Sequence, residues 1–586
     1  MPIQWSPLNR HTLYYVSNAV WKSVDDAHSW TRISPDLARQ TWEVPASAGK
    51  YASGVKPAPM GAITAFSASR LDANVLWAGT DDGNIQATTD GGKTWTNVTP
   101  PQIKPWTRIF NIEAGHFDTK TAYAAANTLR IDDQSPHFWR THDGGKTWTE
   151  INGGIAPGAV ANSIREDPRQ RGLLYAGTET QVWVSVDDGD HWQSLRLNMP
   201  AISVRDLELK DDSTCLCADL IAGTHGRGFW ILDNVTPLRQ AAAIAAARGP
   251  YLVKPATAVR VRFGTNDPTP WPPELPAGEN PLPGAVIDYY LPVDATGVVK
   301  LEILNAAGRV VRAYASDDPV VSPDPATDRP GYDRVCKERP GATFCGLPLY
   351  WPAPQMTVST RAGMHRFSWE MRYDPLPIED VNDAGDEEAT GAVPHHTYPT
   401  VNAPWAPAGS YTVRLTVDGK ATTQPLIVRL DPRVKTAAAD LVQLAKLSGE
   451  MYEDAHAAHQ AFTAARGLAG QLERVGGGDA EAFKAQVDSI APAPVRGGGR
   501  AAAFRRRFGP QGPPTLESVS QALMGAAMAM QGADVAPTAA QVAACTRARA
   551  QFAEVNKKWD ALRTSALATF NARRRAAGQA PITIPE

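Results

Sequence analysis

Glu113, Glu166 and Asp206 are acids set beside short apolar runs in the first 235 residues, at positions expected on inner strands. Cleaving a glycoside takes two carboxylates facing each other across a sugar, about 5–10 Å apart, one as acid and one as nucleophile or base. These three are the catalytic candidates for that chemistry. Asp167 precedes Pro168 and reads as a turn residue. Arg108, Arg165 and Arg205 occur early in three successive segments, and guanidinium groups grip carboxylates bidentately. They are candidate ligand-binding residues. Aligned on the strands that follow, however, they do not fall at one equivalent position, and pairing with acids such as Glu166 and Asp206 also accounts for them. In His225-Gly226-Arg227-Gly228 two glycines allow a tight turn that projects His225, which titrates near neutrality, and Arg227. Its plainer reading is a closure turn. The sequence has no HExxH, CxxC, Walker or GxSxG element, and His395-His396 would bind a metal only weakly. No metal and no cofactor are expected.

The most conspicuous acids lie in four repeats of Ser/Thr-x-Asp-x-Gly-x-Thr-Trp. These are SVDDAHSW (Ser23, Asp25, Trp30), TTDGGKTW (Thr88, Asp90, Gly92, Trp95), THDGGKTW (Thr141, Asp143, Gly145, Trp148) and SVDDGDHW (Ser185, Asp187, Gly189, Trp192). Their starts are 65, 53 and 44 residues apart. The shortest step is close to the ~40–50 residues of one four-stranded propeller blade. The chemistry of such a segment is that of a turn. Gly91, Gly144 and Gly189 supply positive φ, the aspartate accepts turn N–H groups, the hydroxyl closes the other side, and the indole is buried between sheets. The first copy is degenerate, with Ala27 and Ser29 where Gly and Thr are expected. These residues are therefore read as structural.

The elements that must carry the candidates are strands. Val75–Thr80, Ala122–Ala126, Leu173–Thr178 and Leu220–Leu232 share one register, and the last ends without a repeat turn, as a closing blade would. About five blades result, and the abrupt start suggests that this propeller is incomplete. The combination of Ile33–Leu37 (ISPDL), Trp42–Ser47 (WEVPAS), Ile164–Pro168 (IREDP), Leu173–Glu179 (LLYAGTE), Asp187–Leu195 (DDGDHWQSL) and Gly223–Asn234 (GTHGRGFWILDN) resembles the bacterial sortilin-type, BNR or Asp-box repeat family of glycosyl hydrolase-like β-propellers. The resemblance covers roughly residues 1–430. It implies a signal peptide and further blades in the parent protein, a secreted or periplasmic location, and a glycan or a protein or peptide ligand at the propeller face. The leading functional expectation is a non-catalytic binding scaffold. The alternatives are a glycoside hydrolase of sialidase or xyloglucanase type, and a sortilin-type peptide receptor.

A chain of 586 residues exceeds one core, and its formal net charge of -3 offers no basic face for nucleic acid. No apolar run reaches the ~18 residues of a membrane span, and no signal peptide is visible at the N-terminus. Residues 236–432 read as an immunoglobulin-like or fibronectin type III-like sandwich with turns at Asn305–Gly308 and Asp418-Gly419. Its Pro-rich insert at about 316–360 holds Cys336 and Cys345, whose spacing admits a disulfide, and an acidic loop follows at Glu379–Glu388. Cys215 and Cys217 are placed on one strand face, a poor metal site. Residues 433–586 are helical, with apolar stripes such as Leu444, Met451, Ala455 and Cys545, Ala548, Phe552, Val555, Trp559, a capping box at Thr538–Gln541, and a flexible Gly/Arg/Pro loop at 491–514. The expected fold is thus mainly β: a partial propeller over 1–235, the sandwich, and a C-terminal helical bundle.

Overall fold

The structure, a computed structural model, describes residues 2–40, 44, 49–51, 61–262, 281–338, 343–346, 349, 355–376, 402–493 and 512–584. The acidic loop at Glu379–Glu388, His395-His396, Arg505–Arg507 and most of the WEVPAS stretch lie outside these residues. The chain divides into two compact units, Met1–Arg248 and Gly249–Glu586. The boundary expected at 235 is therefore displaced. Short helices at Thr236–Arg239 and Ala241–Ala246 belong to the first unit, where Arg239 pairs with the fully buried Asp167 at 3.0 Å.

The first unit is a run of antiparallel sheets whose strands follow chain order. Blade 1 holds β1 (Ile3–Trp5), β2 (Leu13–Val16), β3 (Val20–Ser23) and β4 (Thr31–Arg32). Blade 2 holds β5 (Ile63–Ala68), β6 (Leu76–Thr80), β7 (Ile85–Thr88) and β8 (Thr96–Asn97). Blade 3 holds β9 (Arg108–Ala114), β10 (Ala122–Asn127), β11 (Phe138–Thr141) and β12 (Thr149–Glu150). Blade 4 holds β13 (Ala161–Glu166), β14 (Leu174–Thr178), β15 (Val182–Ser185) and β16 (Gln193–Ser194). Blade 5 has three strands, β17 (Val204–Asp212), β18 (Cys217–Thr224) and β19 (Phe229–Leu232). The stretch expected as one strand, Leu220–Leu232, is in fact a hairpin broken at His225–Gly228. The inner strands β5, β9, β13 and β17 lie side by side.

Each repeat turn is held as its residue types dictate. Thr141 Oγ1 donates to Asp143 Oδ1 at 2.9 Å and accepts the Gly145 N–H at 3.0 Å, while Asp143 accepts the Thr147 N–H at 2.9 Å and the Thr147 hydroxyl at 2.7 Å. The turns around Asp25 and Asp90 repeat this set, and the turn around Asp187 does so with the His191 ring in place of the hydroxyl. The first of the two left-handed positions needs no glycine, since Asp26 and Asp188 occupy it at φ 57° and 63°.

The second glycine has another cause. A Cβ on Gly92, Gly145 or Gly189 would come within 2.6, 2.6 and 2.5 Å of Ile33, Val98 and Ile151, aliphatic residues of the preceding blade. The carbonyls of those same three residues accept the indole N–H of Trp95, Trp148 and Trp192, at 2.9, 2.8 and 2.7 Å. Each repeat turn therefore clamps its own blade onto the one before it. In blade 1 the equivalent pair, Ala27 and Trp30, is exposed.

In the second unit two sheets enclose one apolar core. One orders β20 (Tyr251–Leu252), β22 (Ala285–Leu291) and β25 (Gly363–Trp369); the other orders β21 (Ala258–Arg260), β27 (Lys420–Leu430), β26 (Gly409–Val417), β23 (Lys300–Leu304) and β24 (Val310–Ala315). Strand β21 runs parallel to β27, and Asp418-Gly419, both at positive φ, make the two-residue turn of the β26–β27 hairpin. The Pro-rich insert carries a helix, Arg329–Glu338, that the pattern does not signal. Helices at Ala438–Val475, Gly478–Ile490, Leu516–Met528 and Ala539–Ala561 pack around their own core. The last begins with the expected capping box, Thr538 and Gln541 each accepting the other's backbone N–H, at 3.2 and 2.8 Å.

Cys336 is bonded to Cys345. Cys215 is bonded to Cys217, which corrects their placement on one strand face: Cys215 stands in the turn before β18, and Leu216 at φ 57° turns the two sulfurs toward each other. Cys545 is free and buried.

Candidate functional site

Strand pairing defines which axial residues are equivalent. Glu113 opposes Tyr123, Arg165 opposes Tyr175 and Glu208 opposes Ile221, so Glu113, Arg165 and Glu208 occupy one level of three successive inner strands. Arg165 reaches both ways, to Glu113 at 3.4 Å and to Asp206 at 2.8 Å, and its Nε donates to the Leu207 carbonyl at 2.8 Å. Burial would raise the Glu113 carboxyl, but Arg165 and the His116 ring, 2.9 Å away, outweigh it and hold it below its ordinary value. Glu208 is pushed up by burial, which Arg165 only partly offsets.

A second level lies nearer the start of these strands. Every inner strand from β5 to β17 has a bulge at the same place, and the extra residues are Thr64, Phe110, Asn162 and Arg205. Thr64 and Asn162 donate to inner-strand carbonyls of the next blade, Ile109 and Val204, at 2.8 and 3.1 Å. Phe110 and Arg205 are left for the axial face. Arg108 lies 4.5 Å and Arg205 5.9 Å from the Phe110 ring centre. Burial lowers the proton affinity of Arg108, and the nearby Arg130 and Arg205 charges add to this. Arg130, on a short turn at Leu129–Ile131, bonds to Asp81 at 3.1 Å, and Arg205 to Glu179 at 3.0 Å. The Nε of Arg108 is buried and has no hydrogen-bond partner among the described residues. Two guanidinium groups, Arg108 and Arg205, thus meet on one aromatic ring, with the Arg130 charge acting on Arg108 and two carboxylates, Asp81 and Glu179, holding Arg130 and Arg205.

Glu166 lies elsewhere. It is 2% exposed and lines a cleft of about 760 Å³ between blades 3 and 4, with Tyr123, His142 and Asp188. His116 N–H donates to it at 2.7 Å, and burial raises its carboxyl. Tyr123 donates to Asp188 at 2.6 Å and stands 3.5 Å from Glu166. Burial, together with the Glu166 and Asp188 charges, raises that phenol far above its ordinary value, the opposite of what a tyrosine nucleophile needs. Among the described residues no group of three or more His, Cys, Asp or Glu side chains is placed to hold a metal ion.

The candidates therefore sort into separate places. Arg108 and Arg205 meet, while Arg165 sits at another level between two acids, so the three do not form one clamp. Arg165 pairs with Glu113 and Asp206, not with Glu166. Glu113 and Asp206 are joined through Arg165, and Glu166 faces away from both, into the cleft. His225 and Arg227 are exposed in the β18–β19 turn, where Gly226 and Gly228 have φ 101° and 65°. Arg130 and Glu208 were not singled out by sequence. Arg130 comes from a loop, and Glu208 is offset because β17 and β18 are longer than their counterparts, so that it lies 13 positions before Ile221 where Glu113 lies 10 before Tyr123.

The first unit is a run of β-propeller blades, and residues 83–224 of it are similar to the Sortilin-Vps10 family, described as "Sortilin, neurotensin receptor 3". Similar solved structures include YCF48 bound to D1 peptide, 16% identical over 40% of this chain and 68% of that one, with a TM-score of 0.26. The GH74 xyloglucanase from Xanthomonas campestris is 14% identical over 40% of this chain and 37% of its own, with a TM-score of 0.29. An ancestral GH74 enzyme is 13% identical over 72% of this chain and 52% of its own, with a TM-score of 0.28. The chain thus spans about a third to a half of the two GH74 enzymes, and none of these likenesses bears on activity. No curated protein matches this sequence. No helix among the described residues is long and apolar enough to cross a membrane.

Proposed function

We propose that this chain is a non-catalytic binding propeller that takes a carboxylate-bearing glycan or protein segment at the Arg108–Arg130–Arg205 mouth of its axial face. The observation that carries the reading is the meeting of Arg108 and Arg205 on the Phe110 ring, with the Arg130 charge close enough to act on Arg108. The partly exposed guanidinium groups of Arg108 and Arg205 can donate to a carboxylate, and the ring supplies a face for an apolar or sugar surface. The sortilin-family match supports a binding or scaffold role. Against a two-carboxylate hydrolase stands Arg165, which fills the space between Glu113 and Asp206 where a sugar would have to lie. Two disulfides fit an oxidising compartment, and a secreted or periplasmic location is part of the proposal.

The test is a glycan and peptide array on the full chain, run beside a chromogenic glycoside screen. Acidic ligands are expected to bind and neutral counterparts not to. Turnover of any glycoside that depends on Glu113 or Glu166 would overturn the proposal.

A further inference from the structure

In blades 1 to 4 a two-residue outer strand covers the edge of the third strand. The pairs are Trp21↔Arg32, Gln86↔Asn97, Trp139↔Glu150 and Trp183↔Ser194. The following aliphatic residue then donates its N–H to the carbonyl of the third strand's first residue: Ile33 to Val20, Val98 to Ile85, Ile151 to Phe138 and Leu195 to Val182, at 2.8, 2.9, 2.8 and 2.9 Å. The segments that do this read Trp-Thr-Arg-Ile, Trp-Thr-Asn-Val, Trp-Thr-Glu-Ile and Trp-Gln-Ser-Leu.

Blade 5 breaks the series. Ala222 opposes Trp230 as Ala176 opposes Trp183, so Phe229 is the counterpart of Val182 and Ile231 of Val184. Val20, Ile85, Phe138 and Val182 are at most 4% exposed, whereas Phe229 is 80% and Ile231 58% exposed. Among the described residues no strand pairs with the outer edge of β19, because the chain turns after Leu232 into the helix at Thr236–Arg239. An apolar edge strand with unpaired backbone groups is a template for another strand.

We infer that the outer edge of β19 receives an extended peptide segment of a partner, with hydroxyl or other polar residues followed by a branched aliphatic residue. The occupant is set by continuity with the four existing blade edges, each closed by a segment of this kind. Its two polar residues pair with Trp230 and Ile231, and its aliphatic residue donates an N–H to the Phe229 carbonyl and covers the Phe229 ring. A second copy docked through blade 1 fits less well. Ala27 stands where the other blades keep a glycine for the aliphatic residue of a neighbour, and its Cβ fills that place.

The probe is a labelled peptide with the sequence of residues 144–153 of this chain, GGKTWTEING, followed by fluorescence polarisation on the full chain. Saturable binding is expected. It should weaken by about tenfold or more with a peptide carrying Pro for Thr149 or Asp for Ile151, and with the protein variant Phe229→Asp/Ile231→Lys. Both variant positions are exposed, so circular dichroism and the melting temperature should stay as in the wild type. No binding, or equal binding to the double variant, would overturn the inference. So would a peptide-free dimer that the double variant dissolves, since a copy of the chain would then be the occupant.

Discussion

The indole of Trp148 donates to the carbonyl of Val98 at 2.8 Å, and the side chain of the same valine rests on Gly145. Backbone and side chain of one residue in blade 2 are thus held by two residues of a turn in blade 3. The same relationship joins Trp95 and Gly92 to Ile33, and Trp192 and Gly189 to Ile151. The repeat is both a turn and a clamp between blades, and this double duty is why its tryptophan and second glycine recur together.

Gly145→Ala should therefore be costly. The new Cβ would meet Val98 at 2.6 Å on a backbone with φ 84°. Overpacking and the left-handed conformation together predict a loss of about 2–4 kcal/mol. Trp148→Phe keeps a ring but removes the donor, for about 1 kcal/mol. Ala27→Gly, at an exposed turn with φ 71° and without this contact, relieves only the left-handed strain and should stabilise by about 1 kcal/mol. Urea unfolding of the three variants checks this. A loss in Gly145→Ala no larger than the gain in Ala27→Gly would show that the turn alone, not the clamp, selects glycine.

The repeat aspartates make a pH prediction. Hydrogen bonds from Ser29 and Ser23 hold Asp25 at about 2, and those from Thr147 hold Asp143 at about 2. Thr94 and Thr88 likewise lower Asp90, and the bonds of His191 and Ser185 lower Asp187 against its burial. An unfolded aspartate titrates near about 3.9. The folded values are the lower ones, so this contribution is fully present above about pH 4 and is lost as the pH falls toward 2. Urea midpoints should be insensitive to these groups from neutral pH down to about 5, then drop steeply between about pH 4 and 2. Substituting Asp143→Asn should flatten part of that drop.

In the second unit Arg260 and Arg262 share one buried carboxylate, Asp534, at 2.5 and 3.0 Å. Removing it strands two guanidinium groups away from water. Asp534→Ala should cost about 3–5 kcal/mol, and a paired change of Arg260 to Met should recover part of it. Thermal unfolding of the single and double variants reads this coupling.

Thiol titration tests the cysteine pairing. Of five cysteines, four are bonded and Cys545 is buried. The native chain should show no reactive thiol, the denatured non-reduced chain one, and the reduced chain all five. Two or more thiols without reductant would contradict the pairing.

Local chemistry was legible in the sequence, and convergence was not. The repeat turns could be read because the hydroxyl, aspartate, glycine and tryptophan that make them lie within eight consecutive residues. The capping box at Thr538 was readable for the same reason. The axial face was not. Arg108 and Arg205 meet only after two blades are placed side by side, Arg130 arrives on a loop, and Glu208 reaches the level of Glu113 on a hairpin with longer strands than its counterparts. The Cys215–Cys217 bond depends on one left-handed leucine, Leu216, which no residue pattern announces.

The binding mouth is tested most directly by titrating the full chain with a labelled uronic-acid oligosaccharide and its carboxyl-reduced form, and with one peptide as free acid and as amide. The acid forms should bind, more weakly as salt rises, and should lose about tenfold or more in affinity in Arg108→Ala and in Arg205→Ala. Equal binding of the neutral forms, or full affinity in both arginine variants, would contradict a carboxylate site at Arg108, Arg130 and Arg205.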